Sequence, residues 1–259
     1  MKRRIWCVLV LWPAASASAV DRWEDSLDGG PNSRAAIAPG QRQAERDLQG
    51  TPANTDQDWV AFAEVSRHSY EARTTGGPGW AAPPVLGGAQ LDRVTSTGVV
   101  LTAGTGDGAQ LTKGNTVRWI AAPAPTQQDF LRIMGEGTTN QGPQPYVLEL
   151  FDTTYAVPRW NNSGSQVTVF VIQNNTASAV TGSIFFYRAN GTLVHTQPLV
   201  LPPDGLQVFN TAGIGALAGE SGAARIAHLG GVGALSGKAV ALEPATGFTF
   251  DTAIVPVPQ

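Results

Sequence analysis

Apolar and polar residues alternate with period two through most of the chain, and the clearest stretch covers residues 55–75. In Asp56-Gln57-Asp58-Trp59-Val60-Ala61-Phe62, Val60 and Phe62 fall on one face. After a polar break, Tyr70 and Ala72 share a face in His68-Ser69-Tyr70-Glu71-Ala72-Arg73, with Glu71 and Arg73 opposite. Side chains on a strand point to alternate sides, so this predicts a strand, a tight connection and a second strand in a half-buried antiparallel sheet. Gly76-Gly77-Pro78-Gly79 then breaks the chain. Further strands are expected at 91–94, 99–103, 117–121, 130–134 and 146–151. In the last of these, Tyr146, Leu148 and Leu150 alternate with Val147, Glu149 and Phe151.

A second strand set starts near Gln166. Val167, Val169 and Val171 share a face, and Thr168, Phe170 and Ile172 share the other. Apolar residues on both faces predict a central strand. Strands follow at 183–188, 193–201, 206–210, 224–228, 238–243 and 248–254, with one short helical turn within 212–219. Asn190-Gly191 between two β runs predicts a hairpin with a type I′ turn, because both residues tolerate positive φ. The segment 153–164, with Val157-Pro158 and Asn161-Asn162-Ser163-Gly164, reads as a linker. The expected fold class is all-β, two tandem antiparallel β-sandwiches: jelly-roll-like over 36–152, immunoglobulin-like over 165–259.

Composition agrees with this pattern. Only 14% of residues are charged, and there are 30 Gly and 18 Pro, as expected of short strands joined by turns. The first residues add a compartment. Lys2-Arg3-Arg4, the apolar run 5–12 and Ala17-Ser18-Ala19 read as a secretory signal peptide over 1–19. An apolar run of that length falls far short of the roughly 20 residues a bilayer requires. Residues 20–35 then read as a polar arm. The expected location is secreted, periplasmic or cell-surface.

The only cysteine, Cys7, lies in the signal, so no disulfide or thiol chemistry is expected afterwards. Without Lys2, Arg3 and Arg4 the 17 basic residues become 14 against 20 acidic ones, a net charge of −6. Only Lys113 and Lys238 remain among the lysines. Phosphate binding needs clustered Lys and Arg, so nucleic acid is not an expected partner. No membrane span is expected after the signal.

Several motifs in the first half carry a family likeness. Asp21-Arg22-Trp23-Glu24-Asp25 is an acidic-aromatic arm, and Asp56 to Phe62 fits D-x-D-W/Y-x-x-F. Tyr70-Glu71-Ala72 fits aromatic-x-h, and Tyr146-Val147-Leu148-Glu149-Leu150 fits Y-x-L-x-h. Over about residues 21–152 the chain resembles the bacterial pre-peptidase C-terminal domain family. The resemblance implies a jelly-roll-like, non-catalytic sandwich on a secreted protein, often beside a protease, with calcium bound in some relatives. Members usually carry an acidic cluster after the central strands; here only Asp92 and the Asp107 of Gly104-Thr105-Gly106-Asp107-Gly108 stand there. The second half resembles immunoglobulin-like modules of bacterial secreted proteins.

Candidate chemistry is sparse. Calcium needs several oxygen ligands, and Asp56, Asp58 and Asp107 are the candidates for metal. Trp80, in a Gly/Pro-rich loop, and Trp160, beside Asn161-Asn162, are the candidate sugar-stacking platforms. Gly219-Glu220-Ser221-Gly222-Ala223 approaches a nucleophile elbow but lacks the final glycine and a doubly wound context. His68, His195 and His228 have no zinc spacing, and nothing in the sequence brings Glu149 and Glu243 together. Asn161, Asn174 and Asn190 each open an N-x-[ST] triplet, but Asn174 and Asn190 already have a turn role and glycosylation is not expected. No catalytic residue is assigned. The expected function is a non-catalytic binding or scaffolding protein with an extracellular protein or polysaccharide as partner. A polysaccharide hydrolase and a self-assembling surface subunit are the alternatives.

Overall fold

The computed structural model describes residues 30, 35–48, 57–76, 89–106, 115–124, 128–135 and 144–259. Residues 1–19, expected to be a signal peptide, most of the expected polar arm and the residues Asp56, Trp80 and Asp107 lie outside the described residues. Among the described residues no helix is long and apolar enough to cross a membrane.

The chain forms two sandwiches, each of a five-stranded and a four-stranded sheet with antiparallel ladders. In the first, one sheet runs β1 (Arg42–Leu48), β9 (Gln144–Asp152), β3 (Ser69–Gly76), β7 (Asn115–Ile120), β6 (Thr105–Gly106). The other runs β2 (Gln57–Phe62), β8 (Asp129–Gly135), β4 (Ala89–Val94), β5 (Val100–Ala103). The alternation set out above decides the core: Val60, Phe62, Leu91, Leu131 and Ile133 from one sheet meet Tyr70, Ala72, Val117, Trp119, Leu148 and Leu150 from the other. Strands β2 and β3 follow each other in sequence, yet they belong to opposite sheets. Residues 63–68 therefore cross the end of the sandwich instead of closing a hairpin. Along the free edge of β2, Ile37 N–H donates to the Ala61 carbonyl (2.9 Å) and Ala61 N–H to that of Ala35 (2.8 Å), a short parallel addition.

The second sandwich has the sheets β13 (Leu193–Leu201), β12 (Val180–Arg188), β15 (Glu220–His228), β10 (Tyr155–Asn162), β18 (Val255–Pro256) and β14 (Leu206–Asn210), β11 (Val167–Asn174), β16 (Leu235–Glu243), β17 (Phe248–Ala253). Phe186 is the centre of its core. Trp160 meets it edge-on at 5.3 Å, Phe170 does so at 5.4 Å, and Phe209 stacks on Phe170 at 4.9 Å.

Two local expectations are corrected and a third is refined. Residues 155–162 are not linker but β10, paired with β15 and β18. Its Pro158, which argued against a strand, is exposed and sits where the ladder slips between Val157 and Trp160, a bulge where a missing N–H costs no ladder bond. Only Thr153 and Thr154 separate β9 from β10, and both are buried. The turn between β12 and β13 is not type I′. Gly191 N–H donates to the Arg188 carbonyl (2.9 Å) and only Gly191 has positive φ (83°), so Ala189-Asn190 form the turn and Gly191 the bulge that closes the hairpin. The strand β11 is central, but only its Phe170 face is buried; the Val169 and Val171 face stays half-buried beside exposed Leu206 and Val208.

Candidate functional site

At the end of the first sandwich where β2 and β8 meet, a cleft of 650 Å³ opens. Its walls are the alanines at 36, 38, 61 and 63 with Ile37 and Phe62; its polar lining is Gln41, Gln128, Glu64 and Asp129. Glu64 comes two residues after core-facing Phe62, and Asp129 two before Leu131. Arg93 comes two after Leu91. Period two thus aims all three charges into the sandwich at one end. Arg93 Nη2 bridges the two carboxylates, at 3.0 Å from Glu64 Oε1 and 2.5 Å from Asp129 Oδ2. Trp119 Nε1 donates to the same Glu64 Oε1 at 2.6 Å, and the Arg93 guanidinium lies 5.4 Å from the Trp119 ring.

Glu64 Oε2 is buried without a hydrogen-bond partner. Burial pushes the Glu64 carboxyl above its usual range, and the Asp129 charge adds to this; the Arg93 charge and the Trp119 hydrogen bond act against it.

A second polar cluster fastens the two sandwiches together. His68 Nδ1 and Asp152 Oδ2 are 2.6 Å apart, and Asp152 Oδ1 accepts from Thr154 N–H at 2.9 Å. Ser69 N–H donates to Thr154 Oγ1 (2.8 Å), Thr153 N–H to the Ser69 carbonyl (2.8 Å), and Thr153 Oγ1 to Ser69 Oγ (2.9 Å). Gln259 closes the seam: its amide donates to the Asp152 carbonyl at 2.7 Å and accepts from Asp152 N–H at 3.0 Å. Serine, histidine and aspartate are neighbours here, but a nucleophile must sit on the histidine nitrogen remote from the carboxylate. The Ser69 hydroxyl is engaged with Thr153 instead, and Ser69 is fully buried. The seam is a fastening.

His228 lies at the same junction, its ring 5.6 Å from Tyr155 and its Nδ1 accepting from Gly230 N–H at 3.1 Å. Burial pushes its pKa down to about 4; the Arg118 charge adds to that shift, and backbone contacts at Thr153 and Gly230 oppose it.

Of the residues expected to bind ligand or metal, only Asp58 and Trp160 are among the described residues. Asp58 is not in an acidic turn. It is inside β2, buried, and its Oδ2 accepts the Tyr146 hydroxyl. Burial, then the Asp58 charge, holds the Tyr146 phenol well above its usual pKa. Among the described residues no three His, Cys, Asp or Glu side chains gather as a metal centre requires.

Trp160 is 1% exposed and its Nε1 donates to the Ala223 carbonyl at 2.9 Å, so the ring fills the second core and offers no face to a sugar. Ser221 and Gly222 lie within β15, and a Cβ at Gly222 would stand 1.9 Å from the Tyr187 carbonyl oxygen, so glycine there serves strand packing. Glu149 faces Arg42 in the first sandwich, whereas Glu243 accepts from Ser165 in the second. The N-x-[ST] triplets act as turns: Asn161, Asn174 and Asn190 each accept, through Oδ1, the N–H two residues on, at 3.0–3.1 Å.

Glu64, Arg93 and Asp129 were not singled out by their sequence, although a signal exists. Arg93 and Asp129 stand in phase with the apolar faces of their own strands, and Glu64 continues the phase of β2 two residues past its end. Comparison with known protein families finds no match to this chain, and comparison with curated proteins finds none.

Proposed function

We propose that this chain is a secreted, non-catalytic binding module, and that the cleft beside Glu64 and Asp129 is where it takes its ligand. The observation that carries the reading is the apolar-walled cleft lined by a buried carboxylate with one oxygen unpartnered. Its volume lies within the range of roughly 300–1,000 Å³ typical of small-molecule pockets. Two carboxylates in one cleft also invite a hydrolase reading, and the same geometry argues against it. A glycosidase keeps the space between its acid and base for the scissile bond. Here one Arg93 Nη2 bridges the two carboxylates directly, which leaves no such space between them.

The test is thermal unfolding of the purified chain against panels of oligosaccharides, peptides and small amines. A ligand that binds only the native state at 100-fold above its Kd stabilises by about 2.7 kcal/mol. Ala63→Trp, which fills the cleft from an exposed wall position, abolishes that shift. A shift that persists in A63W puts the ligand elsewhere and refutes the reading.

Assembly with further copies is the second reading, favoured by the half-buried Val169 and Val171 face that continues onto edge strand β14 through exposed Leu206 and Val208. An open edge invites strand addition. It predicts concentration-dependent oligomers in sedimentation velocity that Val208→Lys dissolves; a monomer at all concentrations rules it out.

A further inference from the structure

The cleft is asymmetric in charge. Glu64 and Asp129 line it, while Arg93, the cation that pairs them, does not. Glu64 spends Oε1 on both Trp119 and Arg93, and its Oε2 is left buried and unpartnered. Asp129 spends only Oδ2 on Arg93. With both carboxylates ionised the group carries one uncompensated negative charge, in a site walled by alanines and Phe62. A buried carboxylate oxygen without a donor costs about 1–3 kcal/mol or more. A neutral hydroxyl would remove only the hydrogen-bond deficit, and an anion would be repelled. A cationic donor would remove both the deficit and the excess charge, through charge-assisted hydrogen bonds. The walls favour a carrier that is apolar and slender.

From this we infer that the cleft binds a primary ammonium group on a short alkyl stem, the chemistry of a lysine side chain or a small alkylamine, with the ammonium held at the Glu64–Asp129 carboxylate pair. The inference rests on the binding reading of the same cleft.

The indole N–H of Trp119, 2.6 Å from Glu64 Oε1, is a built-in reporter. The probes are n-butylammonium chloride, n-butanol and sodium chloride at matched concentration, read by the indole N–H resonances in nitrogen-15 spectra of the full chain. One indole resonance moves saturably with n-butylammonium and stays still with sodium chloride. Glu64→Gln, which keeps an acceptor for Trp119, and Asp129→Asn each weaken the response at least about tenfold. The unfolding transition of each variant verifies that it is folded, and the second variant carries the test if the first is not. An equal response to n-butanol overturns the ammonium inference while leaving the cleft a binding site. No response to any probe, together with no ligand shift in the unfolding panel, overturns both.

Discussion

Asp152 is the residue on which the two sandwiches most depend. Its Oδ2 is 2.6 Å from His68 Nδ1, its Oδ1 accepts from Thr154 N–H, and its backbone is clasped on both sides by Gln259. The His68 and Asp152 side chains are 9% and 8% exposed, so solvent cannot replace a lost partner. Asp152→Ala deletes both acceptors and leaves a ring nitrogen and a backbone N–H orphaned. Each buried donor left without its acceptor costs about 1–3 kcal/mol. Two are left here, so the expected loss is about 4 kcal/mol. At about 2–4 °C per kcal/mol for 150–250 residues, Tm falls by roughly 10 °C. Asp152→Asn keeps one oxygen acceptor and loses about half as much. Calorimetry at neutral pH reads both. Because each sandwich has its own core, D152A also separates one unfolding transition into two. An unchanged Tm and a single transition in D152A would refute the seam as the fastening between the sandwiches.

Three further outcomes follow from buried groups. His228 has a folded pKa of about 4 against 6.5. The unfolded chain therefore binds the extra proton, and stability fully present above pH 6.5 is lost as pH falls towards 4, by about 3 kcal/mol. Urea unfolding across that window shows the loss in the native sequence and a flatter profile in His228→Phe; parallel profiles would refute the assignment. Trp160→Ala removes a ring from the second core and costs about 3–5 kcal/mol in urea unfolding, whereas a surface sugar platform would lose less than about 0.5 kcal/mol. Asp58→Ala removes the acceptor of the buried Tyr146 hydroxyl and costs about 1–3 kcal/mol. That cost is the same in calcium and in chelator, and a calcium-dependent cost would restore Asp58 as a ligand.

What the linear pattern determined was the strands and the faces they bury. Residues 193–201 and 206–210 coincide with β13 and β14, and Tyr146, Leu148 and Leu150 point into the core as their alternation requires. Period two is a local property of the backbone, so neighbours in sequence suffice to reveal it. Pairing is not local. Nothing between Phe62 and Ser69 says that the chain changes sheets there, and nothing near Pro158 says that a bulge will accept it; both depend on the strands that arrive from elsewhere.

The cleft is the extreme case. Arg93 and Asp129 come from β4 and β8 and Glu64 from the crossing just past β2, separated by 29 and 36 residues, and each reads alone as a surface charge near a strand end. Only the packing of β2, β4 and β8 in one sheet sets them around a single guanidinium. That sheet also buries them deeply enough to leave one Glu64 oxygen without a partner, at a cost that water would otherwise remove.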